Sequence, residues 1–202
     1  ITLAALLAEQ GYSAGAVAAL MTINYIPWGT KVLYGPWLDR HTHSSMGRHR
    51  PWILVAQCGM LVSLSILLAV PGVESVGLIP IALNLFVYNL FGALQDVATD
   101  ALAVDLLDPD ERGFVSGAMW SSKIGGIAIG GAGMSMVLHQ FGWRPAIAVQ
   151  LALLLIAVVF PLLVRERPDE CYWALPFQNS ATPGDPTESA AHESVRDVVR
   201  QL

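Results

Sequence analysis

Five apolar blocks, each long enough to cross a membrane, leave this chain few folds to choose from. A hydrocarbon core of about 30 Å takes about 20 residues at helical rise. Ser13–Leu38, Pro51–Val70, Gly77–Val104, Gly113–Leu138 and Trp143–Val164 all meet that length. A sixth block, Ile1–Ala8, is apolar up to the polar Glu9-Gln10-Gly11. It reads as the last turns of a helix whose beginning lies outside the sequence, so the chain is expected to be a fragment. A signal peptide would need a basic leader and a small-residue cleavage site, and neither is present. With 54% hydrophobic and 13% charged residues and a mean hydropathy of +0.52, the expected class is all-α: a polytopic membrane helix bundle over residues 1–164. A cytoplasmic linker over 165–202 follows.

Orientation follows from the basic residues, which are in excess in short cytoplasmic loops. Arg40, Arg48 and Arg50 lie in one connection, Arg112 in another, and Arg165, Arg167, Arg196 and Arg200 after the last span, whereas the opposite side holds only Arg144. The connections Glu9–Tyr12, Pro71–Val76 and His139–Gly142 are therefore read as external and the C-terminal tail as cytoplasmic. The net charge of −5 comes largely from that tail and from Asp105–Glu111. No basic and aromatic cluster marks a nucleic-acid surface. Cys58 and Cys171 give no disulfide framework, and Cys58 is expected to be a small packing residue.

The polar residues inside the spans carry the functional signal. Asp96 and Asp100 fall within a block that otherwise reads as a membrane helix, where an ionisable group costs roughly 2.5 kcal/mol or more and so faces a bundle interior or polar pathway. Asn89, Asp96 and Asp100 are seven and four apart, which puts them on one stripe. Lys31 and Lys123, the two lysines of the chain, both lie deep within spans. At helical rise Lys31 lies about 12 Å from the helix end at Asp39, Lys123 about 15 Å from Gly113, and Asp100 and Asp96 about 10 and 16 Å from Leu107. All four therefore occupy one layer. Asn24 is seven residues before Lys31 and shares its stripe. The expected site is a polar cavity in which Lys31 and Lys123 balance Asp96 and Asp100, with Asn24, Asn89, Gln95 and Thr99 beside them. Burial disfavours the charged form of a carboxylate and a neighbouring cation favours it, so moving the cation switches the proton on or off. A static ion pair that fixes helix register is the competing reading of the same residues.

Gly126 and Gly130 form a small-xxx-small pair that allows close helix approach. A phosphate-cradling loop is excluded by context, since such glycines follow a strand. His41, His43 and His49 have no further ligands arranged to close a metal site, so they are read as a solvated loop and no metal or other cofactor is expected. No nucleophile and base constellation suggests catalysis. Trp28, Trp37, Trp52, Trp120 and Trp143 sit at span ends or faces, several as interfacial anchors. In the tail, Asp185-Pro186-Thr187-Glu188 has the pattern of a helix start. Val195, Val198, Val199 and Leu202 follow as one apolar stripe.

Gly35-Pro-Trp-Leu-Asp39-Arg40, then Gly47-Arg48-His49-Arg50, resembles the loop signature of the major facilitator superfamily, Gly-x-x-x-Asp-Arg-x-Gly-Arg-(Arg/Lys), a charged conformational latch in that family. The chain departs from it by placing six residues between Arg40 and Gly47, where the pattern has one, and His49 in the basic run. Ile26-Pro27-Trp28-Gly29-Thr30-Lys31, Gln95-Asp96-x-x-x-Asp100, Glu111-Arg112-Gly113 and Lys123 are similar to AmpG-type muropeptide permeases and acetyl-CoA-transporter relatives. The resemblance implies the N-terminal six-helix half of a major facilitator fold with its first helix truncated, in a bacterial inner membrane. It also implies proton-coupled import of a small polar solute, with Lys31, Gln95, Asp96, Asp100 and Lys123 as the site. The partner would be a C-terminal half or a second copy. Siderophore import, or a non-transporting membrane half-protein, are alternatives that the sequence leaves open.

Overall fold

The computed structural model describes residues 2–40, 47–107 and 110–163, and these are helical with short connections. The elements are α1 (Thr2–Glu9), α2 (Ala14–Gly29), α3 (Lys31–Arg40), α4 (Arg50–Ala69), α5 (Val73–Val76), α6 (Leu78–Leu106), α7 (Arg112–Phe141) and α8 (Trp143–Leu163). Among the described residues α4, α6, α7 and α8 are each long and apolar enough to cross a membrane. They match four of the five expected blocks within a few residues. The tail helix expected at 185–202, together with Cys171, His41 and His43, lies outside the described residues.

The expected unbroken helix over Ser13–Leu38 is corrected: it is two helices meeting at Thr30. Pro27 removes a backbone donor inside α2, and Gly29 adds a poor helix former just beyond it. The Thr30 hydroxyl donates to the Pro27 carbonyl at 3.0 Å, the oxygen that the amide of residue 31 would use in a continuous helix. Thr30 N–H closes α2 on Ile26, and Leu33 N–H restarts the chain on the Thr30 carbonyl. Lys31 is therefore the first residue of a new helix. Elsewhere the turns are tight. Gly11, between α1 and α2, has φ +82°, and Gly142, between α7 and α8, has φ +85°, a region that glycine enters without a Cβ penalty.

α4 is the spine of the bundle. Its buried residues recur every three or four positions, through Ile53, Ala56, Met60, Ser63, Leu64 and Leu67, and its widest packing is against α6 and then α8. One core cluster joins Leu7, Leu20, Met60, Leu64, Leu67, Val73, Ile81 and Leu154; a second joins Leu38, Trp52, Ile53, Ala56, Leu94 and Ala98. Burial of such side chains contributes roughly 1.5–3 kcal/mol each in water, but within lipid the gain comes from packing and interhelical hydrogen bonds. Ser63 Oγ supplies one such bond, donating to Asn84 across α4 and α6. Close approach is concentrated at Gly59, where an added Cβ would lie 2.5 Å from the Phe91 ring.

The glycines of α7 behave differently from expectation. Gly126 and Gly130 have nothing within 4 Å of an added Cβ, and no residue of α7 is buried. α7 packs against α8 and α1 and reaches α6 through Lys123, while Gly126 and Gly130 have no close neighbour among the described residues. Cys58, expected to be a packing residue, is exposed on the outer side of α4.

Candidate functional site

Asp96 of α6 stands between two lysines from different helices. Lys31, at the start of α3, pairs with Asp96 Oδ2, and Lys123 of α7 reaches Asp96 Oδ1 at 2.7 Å. Lys123 also contacts Asp100 Oδ1 at 3.0 Å, one turn along the same helix. Two acids and two bases form a formally neutral cluster that ties α3, α6 and α7 together. The two acids are not equivalent. The Asp96 side chain is 16% exposed and that of Asp100 is 51% exposed. Asp100 also lines a cleft of about 210 Å³ between α6 and α7, with Arg112, Ser116 and Trp120.

Two tryptophans complete the cluster, and reading them as interfacial anchors missed this. Trp28 lies 4.3 Å from the Lys31 ammonium, measured to the ring centroid, and Trp120 lies 5.6 Å from that of Lys123. In both cases the ring precedes its lysine by three residues; that spacing stacks Trp120 and Lys123 on one face of α7, and Trp28 meets Lys31 across the break at Thr30. The repeated Trp-x-x-Lys was the available signal. A ring face attracts a cation electrostatically, and more strongly where water is excluded. Trp28 does more: its indole N–H donates to Asn89 Oδ1 at 2.9 Å. Asn89 in turn donates to Asn24 Oδ1 at 3.4 Å and to the Leu85 carbonyl at 2.8 Å. Asn24 is buried and donates to Leu20 O. Asn24 and Asn89 thus join the cluster through Trp28.

Gln95 and Thr99 do not join it. They line a separate cleft with Arg50, Gln57 and residues of α8, and the Thr99 hydroxyl donates to the Gln95 carbonyl of its own helix. Each residue advances about 100° around a helix, so these two, although sequence neighbours of the aspartates, sit on another face of α6.

The basic connection is less solvated than expected. Arg40 is exposed at the end of α3, the Gly35 position has open space, and Gly47 turns the chain at φ +108°. Nothing is described of the Asp39 side chain or of residues 41–46. Arg48 pairs with Asp105 of α6 at 3.4 Å. His49, read as part of a solvated loop, is instead 2% exposed, with Nε2 2.9 Å from the same carboxylate. Arg50 is equally buried. Its Nε donates to Pro161 O, and one of its terminal nitrogens donates to Leu162 O at 2.8 Å. Those carbonyls belong to the last described turn of α8. Burial thus goes with a side chain that serves two carbonyls at once.

The family model described as Major Facilitator Superfamily matches residues 1–192. The chain belongs to the Major Facilitator Superfamily. Among curated relatives it is 30% identical over 143 residues to an Escherichia coli K12 protein described as "Anhydromuropeptide permease", covering 69% of this chain and 28% of that protein. The same figures hold for the Escherichia coli O157:H7 protein of that description. A Haemophilus influenzae protein described as "Uncharacterized protein" is 29% identical over 155 residues, covering 76% of this chain and 35% of the relative. The chain thus spans about a third of the length of the relatives it matches. No solved structure matches it.

As a member of this superfamily the chain is a multi-pass membrane protein of transporter type, and the relatives point to transport rather than catalysis. What the chemistry of the ion cluster allows is exchange of partners: Lys123 already holds two carboxylates, so a shift of either helix moves charge from one to the other.

Proposed function

We propose that this chain is the N-terminal half of a proton-coupled importer that carries a polar solute of the anhydromuropeptide class across a bacterial inner membrane. The observation that carries the reading is Asp96 held by lysines from two separate helices, α3 and α7. A static register device needs one partner. An acid shared between two elements is released when either one moves, and release is what proton coupling requires. The relative described as an anhydromuropeptide permease supplies the substrate class.

In this mechanism the Arg50 end of the bundle faces the cytoplasm, following the excess of Lys and Arg on that side. Asp96, doubly paired and occluded, anchors the cluster. Asp100, with one lysine and half its surface open to the cleft of Arg112 and Ser116, keeps Lys123 when a helix shift parts that lysine from Asp96 and leaves Asp96 free to take the proton. Alternating access then comes from the two halves rocking about the site, and the Arg48 and His49 contacts to Asp105 hold the α4 and α6 ends together in one of the two states.

The test uses the full-length protein in proteoliposomes with an imposed pH gradient and labelled anhydromuropeptide. Asp96→Asn and Asp100→Asn are each expected to lower gradient-driven uptake at least tenfold while inserting normally. Wild-type uptake by both variants would remove the coupling role. Gradient-independent muropeptide uptake by the unmodified protein would remove proton coupling altogether.

A further inference from the structure

α6 and α7 are consecutive in the chain yet pack on different neighbours, α6 chiefly on α4 and α2, and α7 on α8 and α1. Lys123 bridges them at Asp96 and Asp100. Between that bridge and the connection after Leu107 the two helices stand apart, and the cleft of Asp100 opens there. Its α7 wall is a stripe. Arg112, Ser116 and Trp120 follow at intervals of four residues, which sets them one above another on the helix. Its α6 wall is apolar, with Ala103, Val104 and Leu107 leading up to Asp100. By the excess of basic residues the Arg112 end is cytoplasmic, so the cleft lies between the ion cluster and the cytoplasm.

Three polar side chains of the cleft keep hydrogen-bonding capacity that no described residue takes up. Arg112 gives only its Nε, to the Leu107 carbonyl at 3.2 Å, whereas Arg48 pairs with Asp105 and Arg50 serves two carbonyls of α8. Among the described residues its two terminal nitrogens have no partner. Ser121 and Ser122 turn their hydroxyls back to carbonyls of α7; that of Ser116, which lines the cleft, makes no such bond among the described residues. Asp100 gives Oδ1 to Lys123 and leaves Oδ2 without a partner among them. Beside these groups the Trp120 ring is 64% exposed.

Two parallel N–H donors of a guanidinium match a carboxylate, and an indole adds a broad apolar face next to them. The surroundings favour a single negative charge over a phosphate, because Asp100 shares the cleft and Asp110 and Glu111 precede Arg112. Arg112 Nε sits at the Leu107 carbonyl, and Asp100 lies seven residues, or about 10 Å, further along α6. We propose that this cleft is a subsite for the imported solute on the cytoplasmic side of the ion cluster, in which Arg112 takes a carboxylate of the solute and a donor group about 10 Å away on the same molecule reaches Asp100. The subsite rests on the reading of the chain as half of a muropeptide importer. It makes Arg112 a determinant of specificity, since a neutral solute of the same shape leaves the guanidinium fork unpaired and binds more weakly. A phospholipid headgroup is the rival occupant. The cleft shares the face of the ion cluster, and charged side chains within a membrane face the bundle interior rather than acyl chains.

The experiment measures competition for gradient-driven uptake of labelled anhydromuropeptide by the full-length protein in proteoliposomes. The competitors are unlabelled anhydromuropeptide and the same compound with its carboxylates amidated. Wild type is expected to favour the acid at least tenfold. Arg112→Gln is expected to lose that preference by weakening the acid alone, and Arg112→Lys to keep part of it. Equal competition by acid and amide in wild type, or an undiminished preference in Arg112→Gln, would overturn the assignment. So would equal weakening of both competitors in Arg112→Gln, the result expected if Arg112 only caps the end of α6. A second measurement leaves Arg112 in place. The photoreactive residue p-benzoylphenylalanine at Met119, which also lines the cleft, is expected to capture labelled muropeptide, with excess acid suppressing the adduct at least tenfold better than excess amide. Adducts to lipid alone would overturn the proposal in favour of a headgroup site. Absence of muropeptide uptake by wild type would overturn the import reading and the subsite with it, whereas uptake without acid preference overturns the subsite alone.

Discussion

Trp28 and Asn89 are joined across α2 and α6 by an indole N–H donating to an amide oxygen at 2.9 Å. The same indole ring lies 4.3 Å from the Lys31 ammonium, so one side chain both locks two helices and cradles a cation.

Trp28→Phe keeps the ring and removes the donor. The Asn89 oxygen loses its partner, at an expected cost of about 1 kcal/mol. Trp28→Ala removes the ring as well and is expected to cost roughly a further 0.5–2 kcal/mol through the lost cation contact, in addition to lost packing. Thermal unfolding of both variants in one detergent measures the difference. Equal melting temperatures for the two would show that the ring contributes nothing at Lys31.

Charge balance in the cluster gives a second expectation. Lys123→Gln leaves Asp96 and Asp100 facing Lys31 alone, and the folded yield in membranes should fall. Lys123→Gln combined with Asp100→Asn restores one acid to one base, and most of the yield should return while gradient-driven uptake does not. Coupled groups of this kind give non-additive changes. Additive losses in the double variant would mean that the Lys123 to Asp100 contact has no energetic weight.

Arg50 is the third case. Arg50→Met removes the side-chain donors to the Pro161 and Leu162 carbonyls, and hydrogen bonds to a charged donor are worth about 1.5–3 kcal/mol each. Arg50→Lys is not expected to rescue, because an ammonium lacks the planar fork that addresses two carbonyls together. The readout is hydrogen exchange across the end of α8, which should quicken in both variants. Full protection in the lysine variant would show that a single point charge suffices.

The break at Thr30 supplies the fourth. Pro27→Ala with Gly29→Ala restores the missing donor and improves helix propensity, joining α2 to α3. Amide exchange at Lys31 should slow, and uptake by the full-length protein should fall because the lysine can no longer move apart from α2. Undiminished uptake with slowed exchange would show that the break has no part in transport.

Much of this was legible in the sequence, and the exceptions have physical causes. Helical rise alone placed Lys31, Asp96, Asp100 and Lys123 at one depth, and the structure pairs them, because depth in a membrane helix is a linear function of residue number. Azimuth is less forgiving. Gln95 and Thr99 were grouped with the aspartates by proximity, yet a third of a turn carries each to the α4 and α8 side. Burial of Arg50 and His49 was missed because they look like loop residues until the carbonyls of α8 and the carboxylate of Asp105 are seen against them. The α7 glycines signal a close approach by composition, and composition does not say which neighbour makes it. The superfamily itself was readable from Gly35, Asp39, Arg40, Gly47 and Arg48 despite the longer spacing.

The short rod that begins at Lys31 has a mechanical consequence. α3 is gripped near its far end, where Leu38 is buried with Trp52 and Ile53 and the Trp37 and Trp52 rings meet at 4.5 Å. Lys31 is seven residues away from that grip, a lever arm of about 10 Å. A tilt of about 10° about Leu38 would swing the ammonium by about 2 Å over that arm, enough to part it from Asp96, while α2 on the other side of Thr30 stays where it is. The ion pair is thus geared to a rotation far smaller than any movement of a whole transmembrane helix.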